Sequence, residues 1–166
     1  MTQRLILIRH AKSSWGDPFA DDHARPLNDR GRASATAVGQ WLAAQGYLPQ
    51  IVLCSDAART QETAGLILPE LPQQPELRLM PRLYHAAPGT ILDLAQKETA
   101  ETVAVIGHNP GIGMLANLLV TNPPNHPRFH DYPTCAVTVI DFADRIAHKG
   151  HCVAFTVPRD LIGTTG

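Results

Sequence analysis

The stretch LILIRHAK, residues 5–12, is a short run of strand formers followed at once by two basic residues. Four consecutive apolar residues suit a strand that is buried on both faces of a parallel sheet. Open α/β sheets bind ligands beyond the carboxyl ends of their strands, and Arg9 and His10 fall at that position. We therefore treat this pair as a candidate site, although the same two residues would also suit the start of an exposed loop.

Two later segments, residues 51–54 and 103–106, repeat this arrangement of a short apolar strand followed by polar residues. The residues that follow them and can cap or begin the next helices are Ser55, Asp56, His108, Asn109 and Pro110. The first of these helices would place Arg59 in its first turn. A cation there opposes the helix dipole, so a bound anion would explain it better than a surface role.

The remaining pattern alternates between helical and strand spacing. Residues 28–46 predict a helix capped by Asn28 and ended by Gly46, and residues 88–98 predict another. Further strands are expected at residues 77–80, 136–140 and 152–157, with the last two antiparallel. This order predicts a three-layer α/β/α sandwich with a mostly parallel mixed sheet, in a single domain over residues 1–166.

Composition excludes several classes of protein. The formal net charge of −1 provides no general attraction for nucleic acid or an anionic membrane. The three cysteines are widely spaced and form no CxxC pair, which argues against a disulfide framework or a zinc knuckle. No stretch approaches the roughly 20 apolar residues of a membrane span, and the N-terminal apolar run is too short for a secretory signal. We expect a cytoplasmic protein.

The three strand ends can meet in one crevice and would bring together Arg9, His10, Arg59 and His108. Guanidinium groups match phosphate oxygens in pairs, and charge-assisted hydrogen bonds of this kind are worth about 1.5–3 kcal/mol each. A neutral imidazole is a competent nucleophile that can accept a phosphoryl group and later release it to water. These residues therefore predict a phosphate site in which His10 is the nucleophile.

The sequence resembles the histidine phosphatase superfamily, which is phosphoglycerate-mutase-like in fold, and within it the SixA-type phosphohistidine phosphatases. The resemblance rests on four segments in the family's order: LILIRHAKSS at 5–14, RPLNDRG at 25–31, SDAARTQETA at 55–64 and VIGHNPGI at 105–112. It implies that His10 is the phosphorylated residue, that Arg9 and Arg59 bind the phosphoryl oxygens, and that His108 is the second histidine of the pocket. In the SixA-type group the arginine of the RPL segment, here Arg25, also reaches the phosphate.

The sequence departs from the family pattern at two places. Ala11 follows His10 where many members have glycine, which restricts the backbone but removes no proposed catalytic group. The segment RLYHAA at 82–87 has no carboxylate where mutase-type members carry a glutamate as general acid. His85 is the nearest proton donor there and is assigned to the pocket wall. An imidazole can leave from phosphohistidine without a strong acid, so the gap favours that substrate over an ester.

Several alternatives stay open at this stage. Asp21, Asp22 or His85 could protonate an ester, so a small-molecule phosphomonoesterase is the second hypothesis. A non-catalytic module that binds phosphorylated partners is the third. We expect no cofactor or metal, because the prolines around His126 and His130 exclude a helical metal pair and no third ligand is evident. The expected partner is a protein phosphohistidine, for instance on a phosphotransfer domain, or a small phosphorylated substrate, with no nucleic acid or membrane.

Overall fold

Six strands form one mixed sheet within residues 2–162, the part of the chain that the computed structural model describes. Their bounds are β1 Gln3–Arg9, β2 Ile51–Cys54, β3 Glu76–Leu79, β4 Thr102–Gly107, β5 Val137–Phe142 and β6 His151–Thr156. In space the order is β3-β2-β4-β1-β5-β6. Strands β1 to β4 are parallel to one another, and β5 is antiparallel to both β1 and β6. The predicted mixed, mainly parallel sheet is confirmed.

Helices cover both faces of this sheet. Their bounds are α1 Asp29–Gln45, α2 Ala58–Ile67, α3 Pro88–Gln96, α4 Gly111–Leu119 and α5 Pro158–Ile162. Ile6 and Ile8 of β1 pack on one side with α1 and α2, whereas Leu5 and Leu7 pack on the other side with α3 and α4. The alternation of side chains along a strand produces these two cores, and the three-layer sandwich is confirmed. No helix within residues 2–162 is long and apolar enough to cross a membrane.

The register of the parallel strands aligns their carboxyl ends. Arg9 at the end of β1 pairs with Gly107 at the end of β4, and Cys54 at the end of β2 pairs with Ile106. The residues that follow these strands therefore leave the sheet at the same edge. This is the edge at which the sequence predicts a site.

Some helix boundaries differ from the predictions by a few residues, whereas those of α1 agree. The N-cap of α2 is Ala57, not Ser55 or Asp56: Ser55 Oγ accepts the N–H of Ala57 itself at 3.3 Å, ahead of the helix, and lies 2.8 Å from His108 Nε2. Helix α4 begins at Gly111, and Asn109 Oδ1 accepts the Gly113 N–H at 3.1 Å. Helix α3 ends at Gln96, two residues earlier than expected. The α1 caps are confirmed, because Asn28 accepts the Gly31 N–H and Gly46 adopts a left-handed conformation with φ of 75°.

Candidate active site

His10 follows β1 directly, and its backbone is held by the two neighbouring segments. Its N–H donates to the Gly107 carbonyl at 3.0 Å, and its carbonyl accepts the Cys135 N–H at 2.9 Å. Ring Nδ1 lies 2.6 Å from the Ala11 carbonyl oxygen. Because a carbonyl can only accept, Nδ1 carries the proton, and Nε2 of the neutral ring keeps its lone pair.

Arg9 is the last residue of β1, and Arg59 lies in the first turn of α2. Nη1 of Arg9 donates to the Tyr132 carbonyl at 3.1 Å. Arg59 is only 2% exposed, and its guanidinium donates to the Asp22 carbonyl at 2.7 Å and to Asp22 Oδ2 at 3.1 Å. Burial and the charge of Arg59 lower the pKa of Arg9 from its usual value. The two cations are thus close enough to repel each other, as expected of a site built for an anion.

Asp22 connects Arg59 to Arg25 in the loop between β1 and α1. Its Oδ1 accepts from Nε and Nη2 of Arg25 at 3.2 and 3.1 Å. Nη1 of Arg25 donates to Ser13 Oγ at 2.9 Å, and its guanidinium stacks 3.6 Å from the ring centroid of Trp15. Arg25 is therefore fixed on every side by polar or aromatic contacts, with its charge directed at the same carboxylate as Arg59.

Tyr84 and His85 approach the same carboxylate from the segment between β3 and α3. Asp22 Oδ2 accepts from the Tyr84 hydroxyl and lies 3.0 Å from His85 Nε2. The Tyr84 hydrogen bond is the largest of several contacts that hold the pKa of Asp22 well below its usual range. His85 adopts a positive φ of 50°, uncommon for a residue with a side chain. His85 is one of the residues that line the cavity described below.

His108 follows β4 and lies beside the other two histidines. Its Nε2 is 2.8 Å from Ser55 Oγ, and its ring centroid is 5.3 Å from that of His10 and 5.1 Å from that of His85. The Ser55 hydroxyl can donate to Nε2 or accept from it, and Nδ1 is the ring N–H when the hydroxyl donates. His108 is buried, so its ring is held in a fixed orientation within the site.

Burial is the main cause of the low pKa values of His10 and His108. It is the largest cause that lowers the pKa of His10 to about 4, with the charges of Arg9, Arg59 and Arg25 adding to it. It also lowers the pKa of His108 to about 3, together with the charges of His10 and Arg59. Both rings are therefore neutral near pH 7, the state in which His10 is a nucleophile.

All six predicted site residues line one cavity of about 290 Å³. The lining consists of Arg9, His10, Lys12, Ser13, Trp15, Asp22, Arg25, Arg59, His85, His108, Asn109 and Thr134. Within residues 2–162, three buried side-chain polar atoms lack a hydrogen-bond partner: Nε of Arg9, Nε of Arg59 and Nδ1 of His108. Unpartnered buried polar groups are rare in folded proteins. All three belong to residues of this cavity; the two arginine Nε groups are donors, and Nδ1 of His108 donates in the tautomer that carries its proton there.

The remaining histidines show no metal site. His126 Nε2 lies 2.8 Å from Asp160 Oδ2, whereas His130 Nδ1 lies 2.8 Å from Asn117 Oδ1. The two rings therefore have separate partners, as expected of loop residues. Among the residues that the structure describes, no group of three or more histidine, cysteine, aspartate or glutamate side chains could hold a metal ion.

Three residues of the site have positions that the sequence pattern did not predict. Ser55 was expected to cap a helix, and Asp22 was named only as a potential proton donor. Tyr84 was not singled out. Asp22 lies three residues before Arg25, a spacing compatible with the observed ion pair, and this is the one local signal that could have linked them. No local signal relates Tyr84 to Asp22, which is 62 residues away.

Comparisons with known proteins agree with this geometry. The histidine phosphatase superfamily (branch 1) model matches residues 5–90. A protein of Agrobacterium tumefaciens assigned to the SixA phosphohistidine phosphatases is 27% identical, with a TM-score of 0.77. That match covers 94% of this chain and 99% of the Agrobacterium chain. The mixed sheet and its helices therefore have the phosphoglycerate-mutase-like fold of these neighbours.

Two relatives with greater sequence identity have names that state no function. One from Mycobacterium tuberculosis H37Rv is 35% identical over 163 residues, which span 92% of this chain and 100% of the relative. A chloroplastic protein of Arabidopsis thaliana is 35% identical over 130 residues, 72% of this chain, and the match spans only 60% of that longer protein. The family match across more than half of the chain and the near full-length relative lead to one conclusion: the chain belongs to the histidine phosphatase superfamily.

Proposed function

We propose that this protein is a phosphatase that forms a covalent phosphohistidine at His10 and acts on a phosphorylated histidine of another protein. The observation that carries the proposal is that Arg9, Arg59 and His108, each with one buried nitrogen that lacks a hydrogen-bond partner, line the same cavity as a neutral His10. Donors aimed at developing negative charge in a buried site are the largest single source of stabilisation in many enzymes.

In the proposed reaction, the phosphoryl group binds to these donors before any bond is broken. The Nε groups of Arg9 and Arg59 and the Nδ1 of His108 can each donate to a phosphoryl oxygen, and Arg25 adds positive charge to the same cavity. A bound dianion favours the protonated form of a nearby imidazole, so we expect the pKa of His108 to rise when phosphate binds.

In the first chemical step, the lone pair on Nε2 of His10 attacks phosphorus. A P–N bond forms to His10 as the bond between phosphorus and the substrate nitrogen breaks, and the leaving imidazole departs with the electron pair of that bond. The ring of His10 becomes cationic, and its Nδ1–H, held 2.6 Å from the Ala11 carbonyl, stabilises this charge. In the second step, water attacks phosphorus, the P–N bond to His10 breaks with its electron pair returning to Nε2, and both protons of the water leave with the phosphate product, which regenerates neutral His10.

The proton donors available in the cavity favour phosphohistidine as substrate. Asp21 does not line the cavity, and the low pKa of Asp22 keeps it ionised, so neither can serve as a general acid near pH 7. The leaving imidazole of phosphohistidine can depart neutral when its other nitrogen already carries a proton. An alkoxide has a much stronger need for a proton donor.

His85 supports the second candidate function, a small-molecule phosphomonoesterase. Its side chain is half exposed and lies in the cavity lining 3.0 Å from Asp22. A protonated His85 beside that carboxylate could deliver a proton to an ester oxygen. In that case, the His85→Ala variant should lose ester hydrolysis by about 100-fold and retain phosphohistidine hydrolysis.

The test compares a phosphohistidine protein with an aryl phosphate, each with and without a chelator. We expect the native protein to dephosphorylate the phosphohistidine protein faster, independently of the chelator, and to carry acid-labile phosphate after rapid quenching. His10→Ala should abolish both signals, whereas His151→Ala, on the exposed side of β6, should retain them.

Each alternative function predicts a different result in this experiment. Binding of the phosphoprotein without turnover would favour the binding module, and loss of turnover with the chelator would favour a metal mechanism. A higher kcat/KM for the aryl phosphate would favour the phosphomonoesterase.

We also propose a reducing, cytoplasmic location. Its support is that Cys54, Cys135 and Cys152 are all buried and free.

A further inference from the structure

A second concave region, here called the basic groove, lies beside the cavity that contains His10. Its volume is about 580 Å³. Its lining consists of Lys12, Arg30, Ser34, His126, Pro127, Arg128, Pro133, Thr134, Val157, Pro158, Arg159 and Asp160. Lys12 and Thr134 line both the groove and the active-site cavity, so the two are adjacent. A protein substrate whose phosphohistidine occupies the cavity can therefore place neighbouring residues at the groove.

The charge of the basic groove differs from that of the chain as a whole. Although the chain carries a formal net charge of −1, the groove is lined by four lysine or arginine side chains and one carboxylate. That carboxylate, Asp160, lies 2.8 Å from His126 Nε2. Within residues 2–162, the side chains of Lys12, Arg30 and Arg159 make no hydrogen bond or ion pair, whereas Arg128 pairs with the neighbouring Asp131. The groove thus presents unpaired positive charge.

The arrangement of these cations suits several separate carboxylates better than one phosphate. They come from four different elements: Lys12 follows β1, Arg30 lies on α1, Arg128 precedes β5, and Arg159 lies on α5. All four are exposed, unlike Arg25 and Arg59, the buried arginines of the active site. Exposed ion pairs are individually weak and are screened by salt, but several of them along an extended segment add together.

We propose that the basic groove binds an acidic segment next to the phosphorylated histidine of a protein substrate. This inference rests on the proposed function, because the phosphohistidine must occupy the cavity while its neighbours lie in the groove. Complementary charge of this kind increases the rate of encounter and selects among partners. The groove would thereby discriminate between phosphohistidine proteins that the reaction site alone would treat alike.

The test uses two synthetic phosphohistidine peptides with the same length and anchor residue. One carries aspartate and glutamate around the phosphohistidine, and the other carries asparagine and glutamine at the same positions. The test variant is Arg30→Glu/Arg159→Glu. The control is Lys97→Glu/Arg145→Glu, which makes the same charge change outside the groove. Both test substitutions place an acidic residue in a first helical turn, which the helix dipole tolerates.

In the native protein and the control, we expect kcat/KM for the acidic peptide to exceed that for the neutral peptide by about tenfold at low salt. The test variant should lose this preference, with its activity on an aryl phosphate unchanged. Equal kcat/KM values for the two peptides in the native protein would overturn the proposal, as would an equal loss in the control.

A binding measurement separates this proposal from the proposed function. Hydrolysis of the aryl phosphate without turnover of either peptide would reject the phosphohistidine function. Fluorescence anisotropy with labelled, unphosphorylated peptides would still decide the role of the groove. Tighter binding of the acidic peptide to the native protein than to the test variant supports it, and equal binding overturns it.

Discussion

The Asp22 carboxylate accepts from two arginines, a tyrosine and a histidine, and within residues 2–162 no other carboxylate lines the active-site cavity. It orients Arg25 and Arg59, but it also places negative charge where a phosphoryl group must bind. Which of these two effects is larger depends on how deeply the side chains of Arg25 and Arg59 are buried. Arg59 is packed inside the protein at 2% exposure and Arg25 at 8%, so both should keep their places without Asp22.

We therefore predict that Asp22→Asn binds inorganic phosphate more tightly than the native protein does. The Asp22 side chain is 44% exposed, so its charge is screened by water. Removal of one negative charge near a bound dianion is then worth on the order of 1 kcal/mol, or about a fivefold lower inhibition constant. Competitive inhibition by phosphate at several ionic strengths measures the change. Weaker inhibition would mean that Asp22 acts mainly by positioning the arginines.

The lowered pKa of His10 predicts that the free energy of unfolding depends on pH. Its pKa is about 4 in the folded protein and has an ordinary value near 6.5 in the unfolded chain, so only the unfolded chain takes up the proton between these values. Stability is therefore fully present above about pH 6.5 and is lost as pH falls toward 4, by roughly 3 kcal/mol.

In His10→Gln, the free energy of unfolding should depend less on pH across this window. Urea denaturation of both proteins at pH 7 and pH 4.5 measures the difference. An unchanged pH dependence would show that His10 is not held neutral in the folded protein.

At the scale of elements, the approach of α1 to the strand end determines the shape of the site. A Cβ added at Gly31 would lie 2.1 Å from the Lys12 carbonyl oxygen, which is backbone and cannot move without shifting the loop after His10. By contrast, a Cβ added at Gly65 of α2 would meet no atom within 4 Å. A side chain at Gly31 is therefore excluded by the Lys12 backbone, whereas a small side chain fits at Gly65.

We predict that Gly31→Ala destabilises the protein by more than about 2 kcal/mol and reduces activity, because the clash displaces the segment that follows His10. Gly65→Ala should instead stabilise it by about 0.5–1 kcal/mol, since alanine has the higher helix propensity. Denaturant unfolding of both variants, with an activity assay, tests the pair. Equal effects at the two positions would contradict the assigned contact.

At the scale of the whole molecule, the sheet connects both cores. Strand β1 lies at the centre of the sheet and contributes alternate side chains to each core, so neither can unfold without disrupting it. We predict a single cooperative thermal transition, with equal calorimetric and van't Hoff enthalpies, as expected of one domain. Two resolved transitions in differential scanning calorimetry would refute the single-domain prediction.

The local pattern of the sequence determined much of this molecule. Runs of apolar residues at 5–8, 51–54 and 103–106 predicted β1, β2 and β4, because strands buried on both faces need continuous apolar sequence. The residues after them predicted where Arg9, His10, Arg59 and His108 would gather, since parallel strands share one carboxyl edge. Asn28 and Gly46 likewise predicted the ends of α1 through capping chemistry that involves only neighbouring residues.

Only the tertiary structure decided which distant side chains meet. Asp22 contacts Arg59, Tyr84 and His85 because a loop after β1 folds over the sheet edge, and no local periodicity encodes that path. The basic groove likewise combines cations from four elements that are far apart in sequence. The sequence by itself thus determined the main strands and helices and the place of His10 after β1, because their signals are local. The network around Asp22 and the groove depend on non-local packing, which a pattern of neighbouring residues does not specify.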